Sequence, residues 1–236
     1  MRKKPLFKGC TVMALLFSPS IGRADVVADW NAIMVTTVSG QSPFAQARFA
    51  AITQLAVFEA VNAITGDFKP YLGTITAPSG ASAEAATIAA AHHVLRNYFP
   101  ANTASLDAAR ASSLAAITDG PAKNAGIAAG EAAAAAMIAA RADDGSGTPE
   151  FYMPSSSAPG QWQLTPSCPA AGGLFLHWRH LMPFGIQNAR TFRLDPPPAL
   201  TSTRYTKDYK EVREAGGVNS MDVHRIGPTL RGFTPR

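Results

Sequence analysis

The chain has 236 residues, a formal charge of +5, 47% hydrophobic and 16% charged residues, and two cysteines. It is too apolar for a disordered chain and too poor in cysteine for a disulfide scaffold. No apolar run is long enough for a polytopic membrane protein, and the length suits one domain or a domain with part of another.

A basic balance ordinarily points to nucleic acid or an acidic surface as partner. Here its location decides otherwise. Arg2, Lys3, Lys4, Lys8 and Arg23 flank the apolar segment 10–17, which is followed by Ser18-Pro19-Ser20 and Gly22-Arg23-Ala24. A basic start, a short apolar stretch, a breaker and small residues before the cut describe a secretory signal peptide over 1–24. Cleavage is expected after Ala24, which makes the protein periplasmic or secreted. Cys10 lacks the small-residue pattern of a lipoprotein site, so no lipid anchor is expected. Beyond residue 24 the basic and acidic residues balance, and nucleic acid drops out as a partner. Cys168 is then alone in Ser167-Cys168-Pro169. It has no disulfide partner, and no adjacent His or Lys would lower its pKa.

Residues 25–143 are dominated by alanine, which loses no side-chain entropy on ordering, and they read as helix. Asp25 caps a first helix over 26–38, ended by Ser39-Gly40 and Ser42-Pro43. Pro43 opens a second over 44–64. On a helical wheel its apolar residues, Phe49, Ile52, Val57, Phe58 and Ile64 among them, cover most directions. Only Arg48, Glu59 and Asn62 gather near one side. A helix apolar all round is predicted to be the central buried one. Arg48 and Glu59 lie eleven residues apart, about 16 Å of helical rise, so each would need a partner from another helix.

Thr65-Gly66-Asp67 ends that helix, and a loop runs through Pro78-Ser79-Gly80. Ser82 starts a third helix reaching Phe99, and a fourth covers 103–117. Asp119-Gly120-Pro121 stops one helix and restarts another, over 122–142. The run of alanines at 132–136 in this fifth helix predicts a face where helices approach closely. Residues 145–200 are dense in Pro, Gly, Ser and aromatics. Phe151, Tyr152, Trp162, Phe175, Trp178, Phe184 and Phe192 are anchors that a disordered linker would lack, so an ordered irregular wrap is expected. A last amphipathic helix covers 202–215, with Tyr205, Tyr209 and Val212 on one face and Gly216-Gly217 as its stop. No strand pattern stands out. The predicted fold is all-α, a bundle of about five to six helices with a long irregular wrap.

Candidate chemistry is sparse. His177-Trp178-Arg179-His180 places two histidines three apart, a spacing that can share a helix face and hold a metal. No acidic or Cys ligand lies close in sequence, and no metal site is expected. His92 and His93 point about 100° apart on a helix, which suits a helix–helix contact better than chelation. Glu59 and Glu131 sit inside apolar helices, where a structural ion pair is more natural than a general acid. The chain has no G-x-S-x-G, no phosphate-cradling glycine loop and no H-E-x-x-H. No catalytic, cofactor-binding or metal-binding residue is therefore expected.

Several stretches resemble the vanadium-dependent haloperoxidases, which share a helical fold with the type 2 phosphatidic-acid phosphatases. They are Trp30-Asn31, then Ala47-Arg48-Phe49-Ala50 through Phe58-Glu59-Ala60-Val61-Asn62-Ala63, and above all Trp178, Pro183-Phe184, Phe192, Pro196-Pro197-Pro198, Tyr205, Asp208 and Glu211-Val212 with Gly216. The resemblance covers 25–220. It implies an oxyanion site in which vanadate is bound by one His and cradled by Lys and Arg, with a second His as acid–base. The motifs that carry this site have the form K-x6-R-P, P-S-G-H and S-R-x5-H. None is present: Pro78-Ser79-Gly80 is followed by Ala81, and neither Arg-Pro nor Ser-Arg occurs.

Residues 221–236 have no helical pattern. Back-translated with GC-rich codons and read two bases later, 222–235 give R-P-P-H-R-T-D-V-A-R-F-Y-A, which is similar to the family's continuation. The expectation is a signal peptide, a helical domain over 25–220 and a frame-shifted tail. The full-length relative would oxidise halide with peroxide on vanadate, or hydrolyse phosphate esters, while this chain would carry no vanadate and be inactive. The rivals are a free-standing secreted structural or binding protein and an acid-phosphatase relative. No membrane span is expected; self-association through an exposed apolar face is.

Overall fold

The computed structural model of the chain describes residues 25–167 and 171–216. The expectations for the signal peptide with Cys10, for Cys168, for Gly217 and for the tail beyond it lie outside the described residues. Six α-helices form among the described residues: α1 (Val26–Val38), α2 (Pro43–Thr65), α3 (Ala83–Tyr98), α4 (Thr103–Ala115), α5 (Pro121–Ala140) and α6 (Thr203–Ala215). Among the described residues the only β pairing is an isolated bridge between Tyr152 and Gly173. The fold is all-α.

The helix starts follow from capping chemistry. The Asp25 carboxylate accepts from the Val27 N–H, and the hydroxyls of Ser42, Ser82 and Ser202 accept from the amides of Ala45, Ala85 and Tyr205. Each cap satisfies one of the donors that a helix leaves open at its N-terminus. Pro43 and Pro121 occupy first turns, where their missing N–H costs nothing. Gly66 ends α2 in the left-handed region at φ 69°, a conformation glycine adopts without a Cβ penalty.

The chain divides into two compact units between Ala142 and Asp143. The first holds α1 to α5. Its hub is α3, which packs against each of the other four helices. α3 buries a run from Ala85 to Leu95, half of whose ten buried residues are alanine. The facing surface of α5 is equally small: Gly126, Ala129, Gly130, Ala133 and Ala134, with Met137 beyond. The backbones come so close that a Cβ built on Gly126 would sit 2.2 Å from the Ser82 carbonyl oxygen, and one on Gly130 2.4 Å from that of Ala86. The close approach expected from the 132–136 alanines is real. Its tightest points, however, are two glycines four apart, upstream of that run.

Around this seam, α1 contributes Trp30, Met34 and Val38, spaced four apart as one helical stripe. α2 contributes Ile52, Ala56, Val57 and Ala60, and α4 contributes Leu106. Phe49 of α2 packs on Tyr98 and Phe99, both at ring-centroid distances of 5.0 Å. The expectation that α2 is the central helix is corrected. Phe49, Leu55, Phe58, Val61 and Ile64 are only half-buried, and Phe44 is exposed. Apolarity all round measures hydrophobicity, whereas the hub position goes to the helix thin enough for four neighbours. α2 is long and apolar enough to cross a membrane, but 44% of its most apolar window is already buried inside the protein.

The described part of the second unit is largely irregular. Short 3₁₀ turns at Leu176–His180 and Ala189–Phe192 precede α6. Tyr152 and Trp162 meet edge-on at 5.6 Å, yet Phe151, Trp162, Phe175 and Phe192 are exposed. The aromatics are thus weaker anchors than the sequence predicts. Tyr205 stacks on Tyr209 along α6, but no residue of that helix is buried, and Tyr209 and Val212 are exposed.

The seam between α3 and α5 makes a prediction. Replacing Gly130 with Ala gains about 1 kcal/mol of helix propensity. It also forces a methyl against backbone atoms of Ala86 and Ala90, at a cost on the order of 3 kcal/mol. Gly130→Ala is expected to lower the stability of the chain by about 2 kcal/mol in urea denaturation, a loss in place of the gain seen at exposed helical glycines.

Candidate functional site

The densest polar cluster of the first unit lies where α3, α4 and α5 meet. His92 and Arg96 are one turn apart on α3, Asp107 and Arg110 are three apart on α4, and Glu131 is on α5. With His93 and Asn97, four of these residues, His92, Arg96, Arg110 and Glu131, line a cleft of about 420 Å³. His92 Nε2 lies 2.7 Å from Asp107 Oδ1, and Arg96 Nε is 3.6 Å from the same oxygen. Arg110 donates from Nη2 to Glu131 Oε1 at 2.7 Å, while its buried Nε has no hydrogen-bond partner among the described residues. Trp30 meets His92 edge-on at 6.3 Å and donates from its indole N–H to Ser113 Oγ at 3.3 Å.

The cluster is electrically balanced, two guanidiniums against two carboxylates. Burial, with Arg110 and Arg96 adding to it, pushes the His92 imidazole below its ordinary value of 6.5, despite the opposing hydrogen bond to Asp107. That same bond, aided by the charge of Arg96, holds the Asp107 carboxyl below the usual aspartate range against an opposing effect of burial. A neutral imidazole oriented by a carboxylate is the base–orienter half of a nucleophilic triad. The other half is missing: no hydroxyl or thiol bonds to His92 among the described residues, and its Nε2 is spent on Asp107. The arrangement ties α1, α3, α4 and α5 together and leaves a shallow polar cleft beside them.

The residues singled out from sequence fall as follows. His92 makes the helix–helix contact expected of it, and His93 sits on the cleft wall. Glu131 pairs with Arg110, but on the exposed rim and not in an apolar interior. Glu59 is buried, at 2% exposure, yet its partner is neither a cation nor another helix. Its Oε1 accepts the backbone N–H groups of Tyr71 and of Leu72, the latter at 3.0 Å, and its Oε2 accepts that of Gly73 at 3.3 Å. The expected ion pair is replaced by a backbone nest. Asn62 clamps the same loop from its other end, donating to the Phe68 carbonyl and accepting from the Phe68 N–H, both at 2.8 Å. Arg48 is buried and donates to the Arg141 carbonyl at 3.0 Å, at the end of α5.

His177 and His180 lie in different surroundings. His177 is buried, with Nδ1 accepting the Glu150 N–H at 3.3 Å. His180 is exposed, and its Nε2 accepts from Arg179 Nε at 2.8 Å. No group of three potential metal ligands occurs among the described residues. Asp107 and Arg110 escape the sequence reading, although they are the only charged residues of α4. That isolation on an otherwise alanine and serine helix is the one signal that points to them.

A pH dependence follows from His92. Its folded imidazole resists protonation more than the unfolded one, so its contribution is complete above about pH 6.5 and is lost as pH falls through the lower folded value. Asp107 acts in the same direction at lower pH, below about 4. Urea midpoints are expected to fall between pH 7 and 5 in the natural chain and to flatten over that interval in His92→Gln. A natural chain with a flat profile there would refute this role.

No family model, no curated protein and no solved structure matches this chain.

Proposed function

We infer that residues 25–216 are a scaffold: the N-terminal helical portion of an exported protein of the vanadium-dependent haloperoxidase and type 2 phosphatidic-acid phosphatase superfamily. The observation that carries this reading is α2. The residues through which it resembles that family, Arg48, Glu59 and Asn62, all have architectural tasks. Arg48 ties α2 to the end of α5, and Glu59 and Asn62 hold the loop that leads to α3. None of the three faces the polar cleft described above. The family's oxyanion motifs occur nowhere in the chain.

The residues present do not fit vanadate. In the cleft, Arg96 and Arg110 are matched by Asp107 and Glu131, carboxylates that repel an oxyanion, and the His92 nitrogen facing Asp107 is already engaged. No step of halide oxidation or phosphate-ester hydrolysis is therefore assigned to these residues. In this reading the chemistry belongs to a partner segment, and the exposed apolar side chains of the second unit, such as Leu174, Met182 and Phe192, favour association.

A second reading, a free-standing secreted binding protein, is favoured by one feature: α3 already has neighbours in α1, α2, α4 and α5. Solution behaviour separates the two. The scaffold reading expects concentration-dependent association of the purified chain, whereas a free-standing protein is expected to be monomeric and to unfold in one cooperative step.

Two measurements test the scaffold reading. The purified chain supplied with vanadate, peroxide and bromide is expected to show no bromide oxidation above buffer; turnover would overturn the reading. The downstream DNA is expected to encode P-S-G-H and S-R-x5-H in a shifted frame. Separately, Glu59→Ala strands the buried N–H groups of residues 71–73 and is expected to cost about 3 kcal/mol, with new proteolytic cuts confined to the loop between α2 and α3.

A further inference from the structure

We propose that the second unit carries a binding site for a doubly charged oxyanion, built from Arg179, Arg190 and Arg193. This site is separate from the polar cleft of the helical bundle and does not rest on the family reading. It differs from that cleft in one decisive respect, which is uncompensated charge.

Two consecutive 3₁₀ turns build it. The first, Leu176–His180, presents Arg179, whose Nε donates to His180 Nε2 at 2.8 Å and whose Nη2 lies 3.5 Å from Glu150 Oε2. Arg179 is thereby held in place before any ligand arrives. The second turn, Ala189–Phe192, is capped by Asn188, whose Oδ1 accepts the Arg190 N–H at 2.8 Å. It closes with the Arg193 N–H donating to the Arg190 carbonyl at 3.1 Å. Side chains three apart eclipse in such a turn, so Arg190 and Arg193 rise on the same side. With His180, Asn188 and Ala189, the three arginines line a cleft of about 380 Å³, within the size range of small-ligand pockets.

Neither Arg190 nor Arg193 has an ion-pair partner among the described residues, and no carboxylate lines the cleft. Glu150 offsets part of the Arg179 charge, which leaves an excess of about two positive charges. Guanidiniums present planar forks that fit two oxygens of a tetrahedral oxyanion at once. Two unmatched arginines on one side of a turn repel each other until such an ion bridges them. The Asn188 amide N–H₂ makes no hydrogen bond among the described residues and offers further donors. The ligand class is therefore phosphate-like, either as the free ion or as the terminal group of a phosphate monoester.

Isothermal titration of the full chain at low salt, with inorganic phosphate and with phenyl phosphate in separate runs, tests the site. One saturable site per chain is expected for at least one of the two. Tighter binding of inorganic phosphate identifies the free ion, and tighter binding of phenyl phosphate identifies a monoester. Arg190→Ala and Arg193→Ala are each expected to weaken binding about tenfold. The double replacement by Lys should also weaken it, because charge is kept while the fork is lost. Arg204→Ala, on α6 and outside the cleft lining, should leave binding unchanged, and far-UV circular dichroism should be the same for all variants. Failure of both anions to saturate, equal binding by the alanine variants, or an equal loss in Arg204→Ala would each overturn the proposal. Vanadate-dependent turnover, which decides the scaffold reading, bears on neither result.

Discussion

The contact between α3 and α5 sets the geometry of the helical unit. Gly126 and Gly130 let the two backbones approach to a distance at which a single methyl group would collide with carbonyl oxygens of α3. Everything else in that unit is arranged around the resulting thin core. Because α3 buries five alanines between positions 85 and 91, four helices can reach it at once, and large residues such as Trp30, Met34 and Leu106 fill the outer positions. Alanine and glycine lose no side-chain entropy on burial, so the seam gains from close packing without the ordering cost that longer chains carry. The apolar area buried per residue is correspondingly small, and the contact relies on fit.

Polar groups then lock elements that the core leaves loose. The loop between α2 and α3 exposes Phe68, which meets Phe58 at a ring-centroid distance of 6.4 Å. It is held by the Glu59 carboxylate and the Asn62 amide, which satisfy backbone groups that would otherwise be buried without partners. At the opposite side, His92 and Asp107 join α3 to α4, and Arg110 and Glu131 join α4 to α5. Both clusters use charge where the helices lack bulk. Among its described residues the second unit has no comparable core, and Arg190 and Arg193 line an open cleft with no ion-pair partner there.

The helix boundaries were legible because they are written in local chemistry. Asp25, Ser42-Pro43, Ser82, Gly66 and Ser202 each act within a few residues of their own position, and the observed starts fall where those residues put them. The fourth and fifth helices end two residues earlier than their patterns suggested, a fraying that periodicity does not resolve. The hub is not legible on a helical wheel, which ranks helices by hydrophobicity, because α3 is less apolar in composition than α2 while being more buried. Pairings across helices were least legible. His92 was seen as a contact residue, but its partner Asp107 lies fifteen positions away and Arg110 finds Glu131 at twenty-one. The partners of Glu59 are backbone amides, which no residue identity announces.

The alanine seam also has a consequence for how this sequence can change. At positions 85 and 89, whose methyl groups face Gly126 and Gly130, nearly every available substitution adds atoms where the α5 backbone stands. The small residues at the centre of the unit are thus the ones with the fewest permitted alternatives. The half-buried aromatic positions of α2 have room to exchange one large residue for another. Drift in this lineage should therefore accumulate on the bulky outer helices and spare the small residues at the centre, the reverse of what residue size alone would suggest.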